Sequence, residues 1–345
     1  MTLMWKEINE EPQVVQNCLN NNLDKISELV DKLKTSGVDN ILIAARGTSD
    51  HAGIYAKYIM GIKLGLPVAL AAPSIFTVYN KTLKFNRTLV IGISQSGKAA
   101  DVLEVIKAAN AAGAITLSLT NFPDSPLAVE SQYHLDLSAG LEKSVAATKT
   151  FIAQLTLLAA LTAVWADDKA FLEGIKNIHT GIEEILNNCG YIKDIAQRYR
   201  YMNDCFVLAR GVNYAIAMET ALKIQETCYV RAKAYATSDF YHGPYAMIEK
   251  DTPVFVIAPE GPAFNDVKEM IQKLKGSGAE LIIFSNIKEA LELGDCSLKI
   301  PATGDELLTP LYNAVLAQIF ACNLSLAKRL NPDSPRELSK VTITK

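Results

Sequence analysis

Ile41-Leu42-Ile43-Ala44-Ala45-Arg46-Gly47 and, much further along, Phe206-Val207-Leu208-Ala209-Arg210-Gly211 spell one local structure twice. Each is a short apolar run that breaks at Arg-Gly, the pattern of a buried strand delivered into a turn. The two glycines are 164 positions apart, and the same interval recurs. Thr88–Ile93 and Thr252–Ile257 both read as β-branched, apolar strands. Each leads through a Gly-containing turn and a helix to another strand, Ile115–Leu119 or Leu281–Phe284, ending at Asn121 and Asn286, one residue out of step. Apolar helices around Gln154 and Gln318 keep the interval of 164. A recurrence at fixed spacing is the mark of a duplicated fold, and 345 residues suit two ordinary domains better than one core.

Strands that alternate with helices predict α/β architecture in each half, a parallel sheet covered on both faces. Ligands of such sheets bind beyond the carboxyl ends of the strands. Functional residues are therefore expected near Gly47, Gly97 and Gly211. The mostly helical stretch Asp167–Tyr201 joins the halves, so the expected division is 1–190, 191–330 and a tail of 331–345.

Composition narrows the possible functions. Apolar residues make up 49% of the chain, enough for two cores. A net charge of −3 provides no basic field for nucleic acid. Met1–Glu10 carries two glutamates and no basic-then-apolar pattern, so no export signal is read and a cytoplasmic location is expected. The apolar run Phe151–Trp165 is interrupted by Gln154, Thr156 and Thr162 and falls short of the roughly 18–20 residues of a membrane span. A buried helix is predicted there, and no membrane partner. Six scattered cysteines without a C-x-x-C pair read as buried thiols.

Ser94-Gln95-Ser96-Gly97 follows a strand and opens a helix of about Ala99–Ala112. Short hydroxyls, backbone N–H groups at a helix start and a glycine allowing close approach suit an oxygen-rich anion such as phosphate. Thr48 and Ser49 hold the same strand-to-helix position one unit earlier. Simple helix capping by these hydroxyls is the plainer alternative. The stretch Gly92–Ala99 nearly matches the nucleotide-binding loop G-x-x-x-x-G-K-[ST], but Ala99 has no hydroxyl for magnesium. It also misses G-x-S-x-G, because its fifth residue is Ser96.

In the second half Glu219, Lys223 and Glu226 fall on one helix face. A solvated stripe explains such spacing, and so does a catalytic set. His242, in the turn Tyr241-His242-Gly243-Pro244, could join a carboxylate in the two proton transfers of aldose–ketose chemistry. His51, His134 and His179 lack comparable companions, and no metal-ligand spacing is present. The polar tail Asn331–Lys345 reads, by itself, as a frayed end.

Six motifs in order resemble the sugar isomerase (SIS) superfamily in its double-domain form, as in the isomerase half of glutamine–fructose-6-phosphate aminotransferase. They are Arg46-Gly47-Thr48-Ser49, Ser94-Gln95-Ser96-Gly97, Ser144-Val145-Ala146-Ala147-Thr148-Lys149, Glu219–Glu226, His242-Gly243-Pro244 and Pro335-Arg336-Glu337-Leu338-Ser339-Lys340. The resemblance implies two tandem SIS domains, each a three-layer α-β-α sandwich with a mainly parallel, flavodoxin-like sheet. It implies that Gly47, Thr48, Ser49, Ser94, Gln95, Ser96 and Gly97 hold the phosphate and nearby hydroxyls, with the Val145 backbone, Lys223 and Ser339 lining the same pocket. Glu226 looks like the base between C1 and C2, and His242 like the ring-opening residue delivered across a homodimer interface. Lys340 falls where the family has a lysine able to form a Schiff base with an open-chain ketose. No cofactor or metal is implied.

The chain departs from the aminotransferase pattern in having Ala99 and Ala147 at hydroxyl positions and Lys98 for an acidic residue, so phosphate contacts are expected to be redistributed, Lys98 being a candidate. The resemblance covers the isomerase half alone, so no glutaminase domain to supply ammonia is expected. Arg46–Asp50, Ser144–Lys149 and Leu338-Ser339-Lys340-Val341-Thr342 look like the glucosamine-6-phosphate deaminase branch. The implied reaction is conversion of glucosamine 6-phosphate to fructose 6-phosphate and ammonia. A fructosamine-6-phosphate deglycase and a non-catalytic sugar-phosphate sensor are the alternatives.

Overall fold

The structure is a computed structural model and describes residues 1–340; Val341 and Thr342 of the tail motif lie outside them. Helices α1 (Leu3–Asn9) and α2 (Glu11–Thr35) come first, followed by β1 (Asn40–Ala44), α3 (Thr48–Leu64), β2 (Val68–Leu70) and β3 (Thr88–Ile93). Then come α4 (Ala100–Ala111), β4 (Ile115–Thr120), β5 (Tyr133–Asp136), α5 (Lys149–Trp165) and α6 (Lys169–Asn188). The second half has β6 (Asp204–Ala209), α7 (Tyr214–Cys228), β7 (Arg231–Ala236), β8 (Pro253–Ile257) and α8 (Phe264–Gly276). It closes with β9 (Glu280–Ser285), β10 (Cys296–Lys299) and α9 (Thr309–Ala327).

These strands form two five-stranded sheets, ordered β2-β1-β3-β4-β5 and β7-β6-β8-β9-β10. Every pairing is parallel. Both have the flavodoxin-like order, with a switch point between the first and third strands of the sheet where outgoing loops diverge. The duplicated α/β reading therefore holds, down to strand order.

Each sheet is held by its own apolar layer. In the first, Leu42, Ala44 and Val90 pack on Val102, Val105, Ile106 and Ala109 of α4. In the second, Leu208, Val254, Val256, Leu281 and Ile283 pack on Val267, Met270, Ile271 and Leu274 of α8. Each fully buried Val, Leu, Ile or Met among them contributes roughly 1.5–3 kcal/mol. The apolar run of α5 is buried along its length, as expected. Glu306–Ala327 is long and apolar enough to cross a membrane by composition, yet 94% of that window is inside the fold. Cys18, Cys189, Cys205, Cys228 and Cys322 are buried and Cys296 half-buried, all as free thiols.

The compact units are not cut at residue 190. One unit gathers Met1–Pro12, Lys143–Thr148 and Ile178–Glu337 around the second sheet; the other gathers Gln13–Glu142, Lys149–Asn177 and the described tail residues from Leu338 around the first. Hydrogen bonds give the reason. The Asp333 carboxylate accepts from the N–H groups of Leu3 and Met4 at 2.8 Å each. The Glu7 carboxylate, 4% exposed, accepts from the N–H groups of Lys143 and Ser144. These satisfied polar groups attach the start of the chain and the 143–148 loop to the second sheet's unit.

Candidate active site

In the first sheet β1 and β3 are paired neighbours, so Gly47–Ser49 and Ser94–Gly97 lie in adjoining loops beyond their carboxyl ends. Gly47 adopts φ 53° and begins α3. Thr48 is half-buried, and Ser49 is buried with its hydroxyl accepting from Gln154 Nε2 at 3.0 Å. Gly97 adopts φ 64°, and a Cβ there would sit 2.0 Å from the Ser125 hydroxyl, so the loop closes only on glycine.

The Ser94 hydroxyl accepts from Gly97 N–H and the Ser96 hydroxyl from Lys98 N–H, at 3.1 and 3.3 Å. Helix α4 starts at Ala100 behind Ala99, which makes no side-chain cap bond. The plain capping reading of these serines is thus not what the loop uses them for: they shape a tight turn ahead of the helix. Gln95 is half-buried and Lys98 is exposed. Arg46 reaches across to Asp101 in α4, which is 2% exposed. Burial pushes the Asp50 carboxyl above its usual range, with His51 and Arg46 acting against that shift.

In the other unit α7 overturns the solvated-stripe reading. Glu219 and Lys223 are fully buried, whereas the Glu226 side chain keeps 23% of its exposure. Lys223 Nζ lies 2.6 Å from Glu226 and 3.4 Å from Glu219. Burial, the largest influence on Lys223, disfavours its charge; Glu226 and Glu219 outweigh it, and the net pKa is raised. A buried ammonium between two carboxylates, the outer one reaching solvent, can present a carboxylate to a substrate. Sequence spacing gave the shared face but not its burial, because α7 packs between β6–β7 and α9.

Val145 is half-buried and its N–H is committed to the Asp333 carbonyl at 3.1 Å, so that donor is engaged within its own unit. Ala147 is half-buried. His242 is exposed, in a turn whose N–H bonds to the Asp239 carbonyl, ahead of Gly243 at φ 136°. The tail is ordered by contacts through Lys340. Arg336 N–H donates to the Tyr229 hydroxyl at 2.8 Å, with its guanidinium over that ring. Ser339 is exposed, and Lys340 Nζ lies 2.6 Å from the carboxylate of Glu142. The frayed-end expectation fails at these contacts. Glu142 was missed by sequence reasoning, as was Gln154's bond to Ser49. Among the described residues no three His, Cys, Asp or Glu side chains come together as a metal site.

The SIS domain profile matches this chain twice, over residues 36–164 and 200–328. Glutamine–fructose-6-phosphate aminotransferase [isomerizing] of Methanothermobacter thermautotrophicus is 33% identical over 339 residues, which is 98% of this chain but 56% of that protein. The chain thus spans little more than half the length of that relative. The C-terminal domain of glucosamine-fructose-6-phosphate aminotransferase from Francisella tularensis has a TM-score of 0.88 at 29% identity, covering 97% of this chain and 98% of its own. Glucosamine-6-phosphate deaminase from Thermotoga maritima shares the fold at a TM-score of 0.77 and 21% identity, over 99% and 100% of the two chains. With both halves matched and each sheet in the expected order, this chain belongs to the SIS domain family, in its two-domain form.

Proposed function

We propose that the chain is a phosphosugar isomerase that opens glucosamine 6-phosphate, isomerises it and releases ammonia, leaving fructose 6-phosphate. Phosphate anchoring falls to Thr48, Ser49 and Ser94–Gly97. His242, reaching in from a second copy of the chain, moves the ring-opening proton. Glu226 removes the C2 proton and returns it at C1, giving an imine at C2; water replaces the imine nitrogen, which departs as ammonia. Lys340 forms a Schiff base with the open-chain ketose at its carbonyl carbon. Cytoplasmic location and the homodimer belong to the same reading.

The observation that carries it is the Glu219–Lys223–Glu226 cluster. Burying such charges costs several kcal/mol per ion before pairing, and a sensor that only held a sugar phosphate would have no need of a proton-transfer carboxylate there. The decisive assay incubates the purified protein with glucosamine 6-phosphate and follows ammonia and fructose 6-phosphate together. Both should appear in equal amounts. Amino acid released from a fructosamine 6-phosphate, with glucosamine 6-phosphate untouched, would replace the deaminase by the deglycase. Thermal protection by sugar phosphates without any turnover would leave a sensor.

A further inference from the structure

The proposed reaction leaves the Glu142 carboxylate without a task. Its side chain is closed off from solvent in the loop ahead of α5. Thr150 holds it twice, through its N–H at 3.1 Å and its hydroxyl at 2.8 Å. Thr150 lies in the first turn of α5, so the carboxylate also sits at the positive end of a helix. Lys340 Nζ also donates to the carboxylate, at 2.6 Å. Lys340 follows exposed Leu338 and Ser339, yet its own side chain is 23% exposed. A rigidly held carboxylate therefore fixes the amine of an otherwise exposed segment.

The plainest alternative is a helix-start carboxylate that a nearby lysine happens to neutralise. The duplication argues against this. Glu306 lies 164 positions after Glu142 and likewise precedes the long helix of its repeat, α9. Its carboxylate takes a hydrogen bond from Ala263 N–H and lies against Gly211 and Gly261. The position kept its acid in both copies, and in the first copy the acid is turned toward a lysine.

We propose that Glu142 is the positioning residue of Lys340, holding the ammonium in place and taking its proton when the amine attacks a ketose carbonyl. The step balances without a co-reactant. The nitrogen lone pair forms the C–N bond as the carbonyl π pair moves to oxygen; the proton lent to Glu142 goes to that oxygen, a second proton lost from the nitrogen follows it through the same carboxylate, and the oxygen leaves as water while the nitrogen lone pair closes the C=N bond. Ammonium plus ketone become protonated imine plus water. This inference rests on the role given to Lys340 above.

The test uses the full chain and two readouts on wild type, Glu142→Gln and Glu142→Asp. Without sugar, hydrogen exchange of the Ser339 and Lys340 amides should accelerate by roughly tenfold or more in Glu142→Gln. With fructose 6-phosphate and borohydride, wild type should give a reduced adduct on Lys340. In Glu142→Gln that adduct should drop by at least about tenfold, with kcat falling alongside it and KM changing by less than about twofold. Glu142→Asp, which keeps the charge, should recover part of both signals and serves as the control for folding. Unchanged exchange in Glu142→Gln overturns the proposal, and so does undiminished trapping. If wild type traps no sugar, it is the role of Lys340 that fails; accelerated exchange then still upholds the hold on the tail, and unchanged exchange removes it.

Discussion

The loops at the two switch points are built on equivalent strands and differ in the side chains they carry. In the first, Ser94-Gln95-Ser96-Gly97 offers hydroxyls. The corresponding positions of the second, 164 residues on, read Ala258-Pro259-Glu260-Gly261. Gly97 and Gly261 both adopt positive φ, at 64° and 145°, and both are crowded, one by Ser125 and the other by Glu306. In the second copy, Glu260 accepts from the N–H groups of Thr303 and Gly304, while Glu306 accepts from Ala263. Backbone donors that could meet an anion are taken by the chain's own carboxylates. Duplication supplied the geometry twice, and under the function proposed above a few side chains leave phosphate anchoring to the first copy alone. In the same proposal the second copy contributes α7 and its Glu219–Lys223–Glu226 cluster instead.

That division of labour can be broken most forcefully at Glu226. Glu226→Gln should lower turnover by roughly 10²–10⁴-fold while sugar phosphate still raises the melting temperature. Loss of binding together with turnover would mean the two tasks are not divided. Next is Lys223→Leu, which strips buried Glu219 of its ammonium and should cost about 3–5 kcal/mol in urea unfolding. Replacing Glu219 by Leu as well should recover most of it. An unaltered single variant would show the cluster is not an ionic core.

Exchanging residues between the loops tests the comparison itself. Ser96→Glu places a second-copy carboxylate in the phosphate loop and should raise KM by roughly tenfold or more through like-charge repulsion. The reciprocal Glu260→Ser should leave KM within about twofold. Equal effects would erase the distinction.

The smallest effect concerns Glu306. Burial and then the charge of Asp305 push its carboxyl above the ordinary range, against the Ala263 N–H. A carboxyl raised on folding holds its proton more tightly in the folded state. Its ionisation therefore erodes stability as pH climbs from the unfolded value through the raised one. Glu306→Gln should gain up to about 2 °C in melting temperature near pH 7, and the gain should vanish below about pH 4, where both states are protonated. A gain that grows on acidification would reverse the assignment.

Periodicity and spacing alone carried the duplication, the parallel α/β class and the position of the strand-end loops. Strand propensity and Gly-containing turns are local, and 164 is a count. They also placed Glu219, Lys223 and Glu226 on one face, since helical spacing is local as well. Burial is not local. Only packing turned that face inward, engaged Val145 N–H with Asp333, joined residues 1–12 to the second sheet's unit and brought Lys340 to Glu142. Glu142 and Glu306 could have been noticed as a pair from the interval, but not told apart. Two identical residues at equivalent positions acquire different partners only when the rest of each copy has closed around them.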